Sequence, residues 1–250
     1  MQFRFDTHVI TVNIPDRAAL LQAVRRRLEA RRGFALATIN LDHLVKLHRN
    51  RAFRAVYAAQ DLVVADGNPI VWLSRLARRP VSLVPGADMV LPLVQTATEA
   101  GVSIALVGAT DTALAAAATR IRADVAGVQI ALLHAPPMGF DPDSPAAAAL
   151  LQAIADSGAG LCLLALGAPK QEQFAARGRQ FAPHVGFASI GAGLDFLAGT
   201  QDRAPAWVRA VALEWLWRAL SQPRRLVPRY VACAAILPGQ ALAAWRLRRS

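Results

Sequence analysis

The feature that most constrains this chain is an alternation of short apolar runs with helix-period segments from about residue 34 to about residue 200. Phe34–Ile39, Leu62–Ala65, Ser103–Val107, Gln129–Leu133, Leu161–Leu166 and Val185–Ile190 are candidate strands. Several are almost continuously apolar, which is the pattern of strands covered on both faces. Between them the spacing predicts helices over Leu41–Ala59, Pro69–Ala77, Ala87–Glu99, Asp111–Val125, Pro145–Asp156 and Lys170–Phe181. Cap signals agree. Asp111 opens an alanine-rich helix, and Ser144 stands before Pro145, a cap followed by proline in the first turn. Such alternation predicts an α/β architecture with a doubly wound, mostly parallel sheet. Residues 1–33 read as a lead-in strand (Phe3–Val12) and a basic amphipathic helix (Arg17–Arg32). From Ala204 onward the pattern is all-helical, with breaks expected at Pro223, Pro228 and Pro238. A chain of 250 residues holds one large domain and an appendage. The expected division is a core over 1–203 and an appendage over 204–250.

With 54% hydrophobic and 18% charged residues, the chain is not disordered, collagen-like or coiled-coil. The longest uncharged runs, Val125–Phe140 and Tyr230–Trp245, contain Pro136 and Pro137 in one and Pro238 and Gly239 in the other. Both fall short of the roughly 18–20 residues that a bilayer core requires, so no transmembrane helix is predicted. The first residues, MQFRFDTHVI, lack a basic-then-apolar signal layout, and a cytoplasmic location is expected. Cys162 and Cys233 read as reduced core residues. Net charge is +11, and residues 201–250 carry nine arginines against Asp202 and Glu214, hence +7 of it. Trp207, Trp215, Trp217 and Trp245 are interleaved with them. This mixture suits an anionic membrane surface, where indoles sit at the headgroup boundary and guanidinium groups pair with phosphates. A solvated basic tail is the bland alternative. Nucleic acid is disfavoured because the stretch is apolar between its charges.

Parallel sheets bind ligands beyond the carboxyl ends of their strands. Polar or glycine-rich signals stand at five such ends: Thr38-Ile-Asn40, Ala65-Asp66-Gly67, Val107-Gly108-Ala109, Gly167-Ala-Pro-Lys170-Gln171-Glu172 and Gly191-Ala-Gly193-Leu-Asp195. Asp66 reads either as a base for a substrate hydroxyl or as a turn aspartate before glycine. The Gly167–Glu172 segment, with Lys170 and Gln171, reads either as a seat for a diphosphate or as an ordinary helix start. Gly191–Asp195 lacks the third glycine of a dinucleotide fingerprint, which disfavours a nicotinamide enzyme, though Asp195 is placed to hold a ribose or base edge. Asp141-Pro-Asp143 matches a two-aspartate metal pattern, but helix capping is the stronger reading. The five histidines show no metal spacing.

The order of these blocks, with Pro85-Gly-Ala-Asp88, Arg203-Ala-Pro-Ala-Trp207, Glu214-Trp215 and the run Arg218, Pro223-Arg224-Arg225, Arg229-Tyr230, resembles the WecG/TagA/CpsF family of bacterial glycosyltransferases over about residues 8 to 230. The chain departs from relatives at Thr38-Ile-Asn40 and Pro137-Met-Gly-Phe140. The resemblance implies a Rossmann-like fold with a helical, arginine-rich C-terminal appendage. It implies a metal-independent, inverting transfer of a hexosyl or N-acetylhexosaminyl-type sugar from a UDP-sugar to a polyprenyl-diphosphate-linked sugar at the inner face of the cell membrane. It further implies Asp66 as general base with Thr38 and Gln171 beside it. Donor contacts fall to Asn40, Gly108, Gly167, Lys170, Gly191 and Asp195. Arg218, Arg224, Arg225 and Arg229 fall to the UDP or acceptor diphosphate. A homo-oligomer is compatible with this reading. The alternative from another class is a non-catalytic nucleotide- or polyanion-binding protein at the membrane surface.

Overall fold

The computed structural model describes residues 1–201, 204, 205, 208, 214–221 and 223–248. Its centre is a six-stranded, all-parallel sheet of order β4-β3-β8-β7-β5-β6, formed by β3 (Phe34–Ile39), β4 (Leu62–Ala65), β5 (Ser103–Gly108), β6 (Ile130–His134), β7 (Ala159–Ala165) and β8 (Gly186–Ser189). The four inner strands are buried nearly throughout, as their unbroken apolar runs predict. Parity along β3 sorts side chains between two layers. Phe34 and Leu36 face a core shared with α1 (Arg17–Glu29), α5 (Val90–Glu99), α6 (Asp111–Asp124) and α9 (Gly193–Leu197). Ala35, Ala37 and Ile39 face the opposite side. That side is covered by α7 (Pro145–Asp156) and α8 (Lys170–Phe181), and toward the β4 edge by α2 (Leu41–Arg49), α3 (Arg51–Ala58) and α4 (Asn68–Leu76).

Four expectations change. The stretch Phe3–Val12 is a hairpin, β1 (Gln2–Phe5) and β2 (His8–Thr11), that turns at Asp6, whose φ of 48° an aspartate tolerates without glycine. The helix expected over Leu41–Ala59 is two helices. Asn50 leaves helical geometry and its Oδ1 accepts from Phe53 N at 3.0 Å, ending one helix and capping the next. Cap residue Thr110, not Asp111, accepts the Ala113 amide.

Last, the prolines near the C-terminus do not break the chain into short helices. Pro223 begins α11 (Pro223–Leu247), and Pro228 and Pro238 lie inside it. The carbonyls that lose their amide donor, on Arg224 and Ala234, belong to exposed residues, where the loss costs least. Leu226–Leu247 is therefore one helix of 22 residues, long and apolar enough by length and composition to cross a membrane. This overturns the prediction that no such helix exists. Ala244 is buried on α2 and α4, with Ile236, Leu237, Ala241 and Leu247 packed beside it. A preceding helix, α10 (Glu214–Ser221), joins α11 through the edge-to-face rings of Trp215 and Tyr230 at 5.8 Å. Arg203, Trp207, Arg209 and Arg249, and the expected boundary after residue 203, lie outside the described residues, as do the side chains of Glu214, Arg218 and Arg225.

Gly108 ends β5 with φ of +116°, and a Cβ there would sit 2.4 Å from the Ala165 carbonyl oxygen of β7. Backbone of a central strand cannot yield to it. Gly108→Ala is expected to destabilise the fold by about 1–3 kcal/mol in denaturant titration. An unchanged midpoint would show that the β5–β7 contact is looser than this geometry.

Candidate active site

Because all six strands run the same way, their carboxyl ends share one edge. At the end of β4, Asp66 N–H donates to Ile39 O of β3 at 2.8 Å, and the bare Gly67 lies against the Asn40 side chain. The next covering piece is Leu83–Gly86. Val84 N–H donates to Ala65 O at 2.7 Å, and a Cβ on Gly86 would be 3.0 Å from Thr38 Cγ2 and 3.2 Å from Ile190 O. Glycine is needed there for close approach, so the Pro85–Asp88 block roofs the ends of β3 and β8. Thr38, Asn40 and Asp66 are thus brought together on adjacent strands.

Gln171 and Gly191 form a second group. Gly191 N–H, just beyond β8, donates to Gln171 Oε1 at 3.3 Å. Gln171 and Glu172, in the first turn of α8, are buried, and Gly167 takes a left-handed φ of 71° to turn the chain from β7 into that helix. Lys170 is half-buried at the helix start. Since β3 lies between β4 and β8, this corner and Asp66 are two strand spacings apart, about 10 Å. Gly108 stands farther along the edge, beyond β7. Asp195 is on α9, in the layer opposite α8; burial pushes its carboxyl above the usual range, and a hydrogen bond from Thr200 offsets part of that shift.

Between the two groups lies a buried polar cluster that the strand-end signals did not reveal. His43 and Asn40 form a reciprocal cap at the start of α2. Asn40 N–H donates to His43 Nδ1 at 3.3 Å, His43 N–H donates to Asn40 Oδ1 at 3.2 Å, and the two side chains approach to 2.8 Å. His43 Nε2 is 3.3 Å from Glu172 Oε1, which also accepts from Gln171 Nε2 at 2.8 Å. Gln60 Nε2 donates to the Glu172 carbonyl at 3.2 Å, and the Tyr57 hydroxyl donates to Thr38 O at 3.0 Å. Burial first, then the charges of Glu172 and Asp66, hold the Tyr57 phenol well above its ordinary pKa. The signals available were the Asn40-x-x-His43 spacing and the Phe53/Tyr57 helical pair; burial of Glu172, at the end of a segment that also reads as an ordinary helix start, depends on packing that no spacing reports.

Along the same side, α2, Pro169 and α11 enclose an open groove of about 560 Å³, walled by Val45, Phe53, Leu226 and Ala232 and rimmed by Lys46, Arg49 and Arg229. Asp42 ties it together, with Lys46 Nζ at 2.7 Å and Arg229 Nε at 3.1 Å; Lys46 also donates to Ala168 O at 3.2 Å. Arg224 is exposed on α11. Among the described residues, no three His, Cys, Asp or Glu side chains gather closely enough to hold a metal ion. The Asp141 carboxylate accepts from Asp143 N at 2.9 Å in the turn before α7.

Burial pushes the Asp42 carboxyl up, but Lys46 and Arg229 outweigh it and leave it below the ordinary carboxylate range. A depressed carboxylate contributes stability above its unfolded pKa and loses it as pH falls through the folded one. Docking of α11 is therefore expected to weaken in acid, below the ordinary carboxylate range, and to weaken at neutral pH in Asp42→Asn. Amide exchange in α11 should quicken roughly tenfold in that variant. Unchanged protection would mean that apolar packing alone holds the helix.

Residues 6–250 match the model of the glycosyl transferase WecG/TagA/CpsF family. With that match spanning nearly the entire sequence, the chain belongs to the WecG/TagA/CpsF glycosyltransferase family.

Proposed function

We propose that the chain is an inverting transferase that moves a hexosyl or N-acetylhexosaminyl-type sugar from a UDP-sugar to a polyprenyl-diphosphate-linked sugar, with Asp66 as general base. The observation that carries this reading is the gathering of Asp66, Asn40 and Thr38 on two adjacent strand ends, one strand away from the Gln171–Gly191 corner. In the proposed step the Asp66 carboxylate takes the proton of the acceptor hydroxyl. The hydroxyl oxygen then bonds to the anomeric carbon as its bond to the UDP oxygen breaks, from the opposite face. Charge on the departing diphosphate is met by Lys170 and the first amides of α8 beyond Gly167. Asn40 and Gly191 hold the donor between these points.

The acceptor diphosphate is assigned to the rim of the α2–α11 groove, where Lys46 and Arg49 join Arg229, with Arg224 nearby on α11. Apolar walls suit the start of a polyprenyl chain. The exposed Trp217, Leu220, Val227, Val231, Leu242 and Trp245, interspersed with arginines, support docking on an anionic membrane surface. Although α11 has the length of a span, Asp42 and the contact between Gln240 and His48, 2.9 Å between nitrogens, support a helix lying along the protein at that surface.

Asp66→Asn is expected to lower the transfer rate by about 10²–10⁴-fold while leaving UDP affinity by calorimetry within about threefold. Near-normal turnover would remove Asp66 as the base. A wild-type protein that binds UDP but forms no product with any sugar nucleotide would favour the non-catalytic binder instead.

Removing residues from 204 onward strips one cover from α2 and α4 but no strand from the sheet. The truncated protein is expected to keep its far-ultraviolet dichroism and lose both transfer and sedimentation with anionic vesicles. Normal transfer by this protein would exclude the C-terminal helices from the site.

A further inference from the structure

Glu172 has no solvent exposure, and among the described residues the only other buried acidic side chain is Asp42. A buried carboxylate is costly unless it is paired and hydrogen-bonded, and the apolar core around it gains nothing from its charge. Its contacts point elsewhere. The single oxygen Oε1 takes the Gln171 carboxamide at 2.8 Å and lies 3.3 Å from His43 Nε2, an ion-pair distance without hydrogen-bond geometry, while Oε2, like His43 Nε2 itself, has no hydrogen-bond partner among the described residues. Accepting from the Gln171 amide nitrogen leaves Gln171 Oε1 turned to Gly191 N–H. On the far side of the imidazole, Nδ1 accepts from Asn40 N–H and lies 2.8 Å from the Asn40 side-chain oxygen. One carboxylate thus spans the start of α8, the end of β8 and the end of β3.

Residue 43 is itself informative. The third helical position of a reciprocal cap is ordinarily Glu or Gln, whose side chain ends at the cap. A glutamate at 43 would set a second carboxylate against Glu172. Histidine satisfies the cap with Nδ1 and leaves Nε2 3.3 Å from Glu172 Oε1, so one imidazole stands between the cap and the buried carboxylate.

We propose that Glu172 and His43 are positioning residues that orient the carboxamides of Gln171 and Asn40 toward the donor, an inference that rests on the reading of those two residues given above. Glu172 acts on both carboxamides, and His43 on Asn40 alone. Neither touches the sugar nucleotide.

Three variants test it: Glu172→Gln, which keeps volume but removes the charge; His43→Asn, which mimics Nδ1 and cannot reach Glu172; and His43→Gln, which mimics Nε2. With UDP-sugar and lipid acceptor, Glu172→Gln and His43→Asn are expected to lose about 10²-fold in kcat, the cost of misplacing a contact by an ångström, with the donor KM within about threefold. His43→Gln should recover at least a tenth of wild-type kcat. Near-normal turnover in Glu172→Gln overturns the proposal. So does a loss that follows lowered melting temperature alone, with His43→Gln no better than His43→Asn. Side-chain amide resonances of the ¹⁵N-labelled protein give an answer independent of activity. Glu172→Gln should shift those of Gln171 and Asn40 together, and His43→Asn those of Asn40 without Gln171. An Asn40 signal unmoved in Glu172→Gln breaks the connection. If the wild-type protein transfers no sugar, the transferase reading falls, while these spectra still decide whether Glu172 holds both carboxamides.

Discussion

A parallel sheet covered on both faces must end all its strands at one edge, and the peptide groups there have no further ladder to join. Buried backbone donors left unpaired are costly, so each strand end finds its partner in the last carbonyl of a neighbouring strand or in a covering side chain. Asp66 N–H turns to Ile39 O, Gly191 N–H to the Gln171 side chain, and Ala109 N–H to Ala165 O. Two helices that leave this edge start on side-chain caps, α2 on Asn40 and α6 on Thr110. Polar groups accumulate at this edge because the backbone requires them. Once gathered there, around glycines that admit close approach, they form a surface on which a polar ligand fits.

The sheet was legible because its strands are buried on both faces and therefore carry no polar alternation to blur them. Observed limits agree with the apolar runs to within two residues. What misled was continuity. Helical period runs unbroken through Asn50, so nothing in the pattern separates α2 from α3; only the Asn50 side chain, capping Phe53 N, does so. The hairpin at Asp6 has no glycine to announce it. Pro228 and Pro238 look like stops, but they stand at exposed positions and the helix continues through them.

Site residues divide along the same line. Thr38, Asn40, Asp66, Gln171 and Gly191 stand where strands end, a place that a sequence reveals. His43, Tyr57 and Glu172 sit inside helices and Gln60 just beyond the end of α3, and their roles arise because α3 packs on α8. Gln60 donates to the carbonyl of Glu172 across 112 residues of chain. Hydrophobic period predicts that such helices have a buried face. It does not predict which polar residue on that face finds a partner there.

These two halves of the molecule meet in α2. Its cap, Asn40, faces the strand ends; within the first turn Asp42 binds Lys46 and Arg229; at its far end His48 meets Gln240 of the C-terminal helix. Nine residues therefore carry both the cap that closes the end of β3 and the ion pair that seats α11. The same short helix has to satisfy two sets of partners at once, which is why its polar side chains are buried where a surface helix would leave them in water.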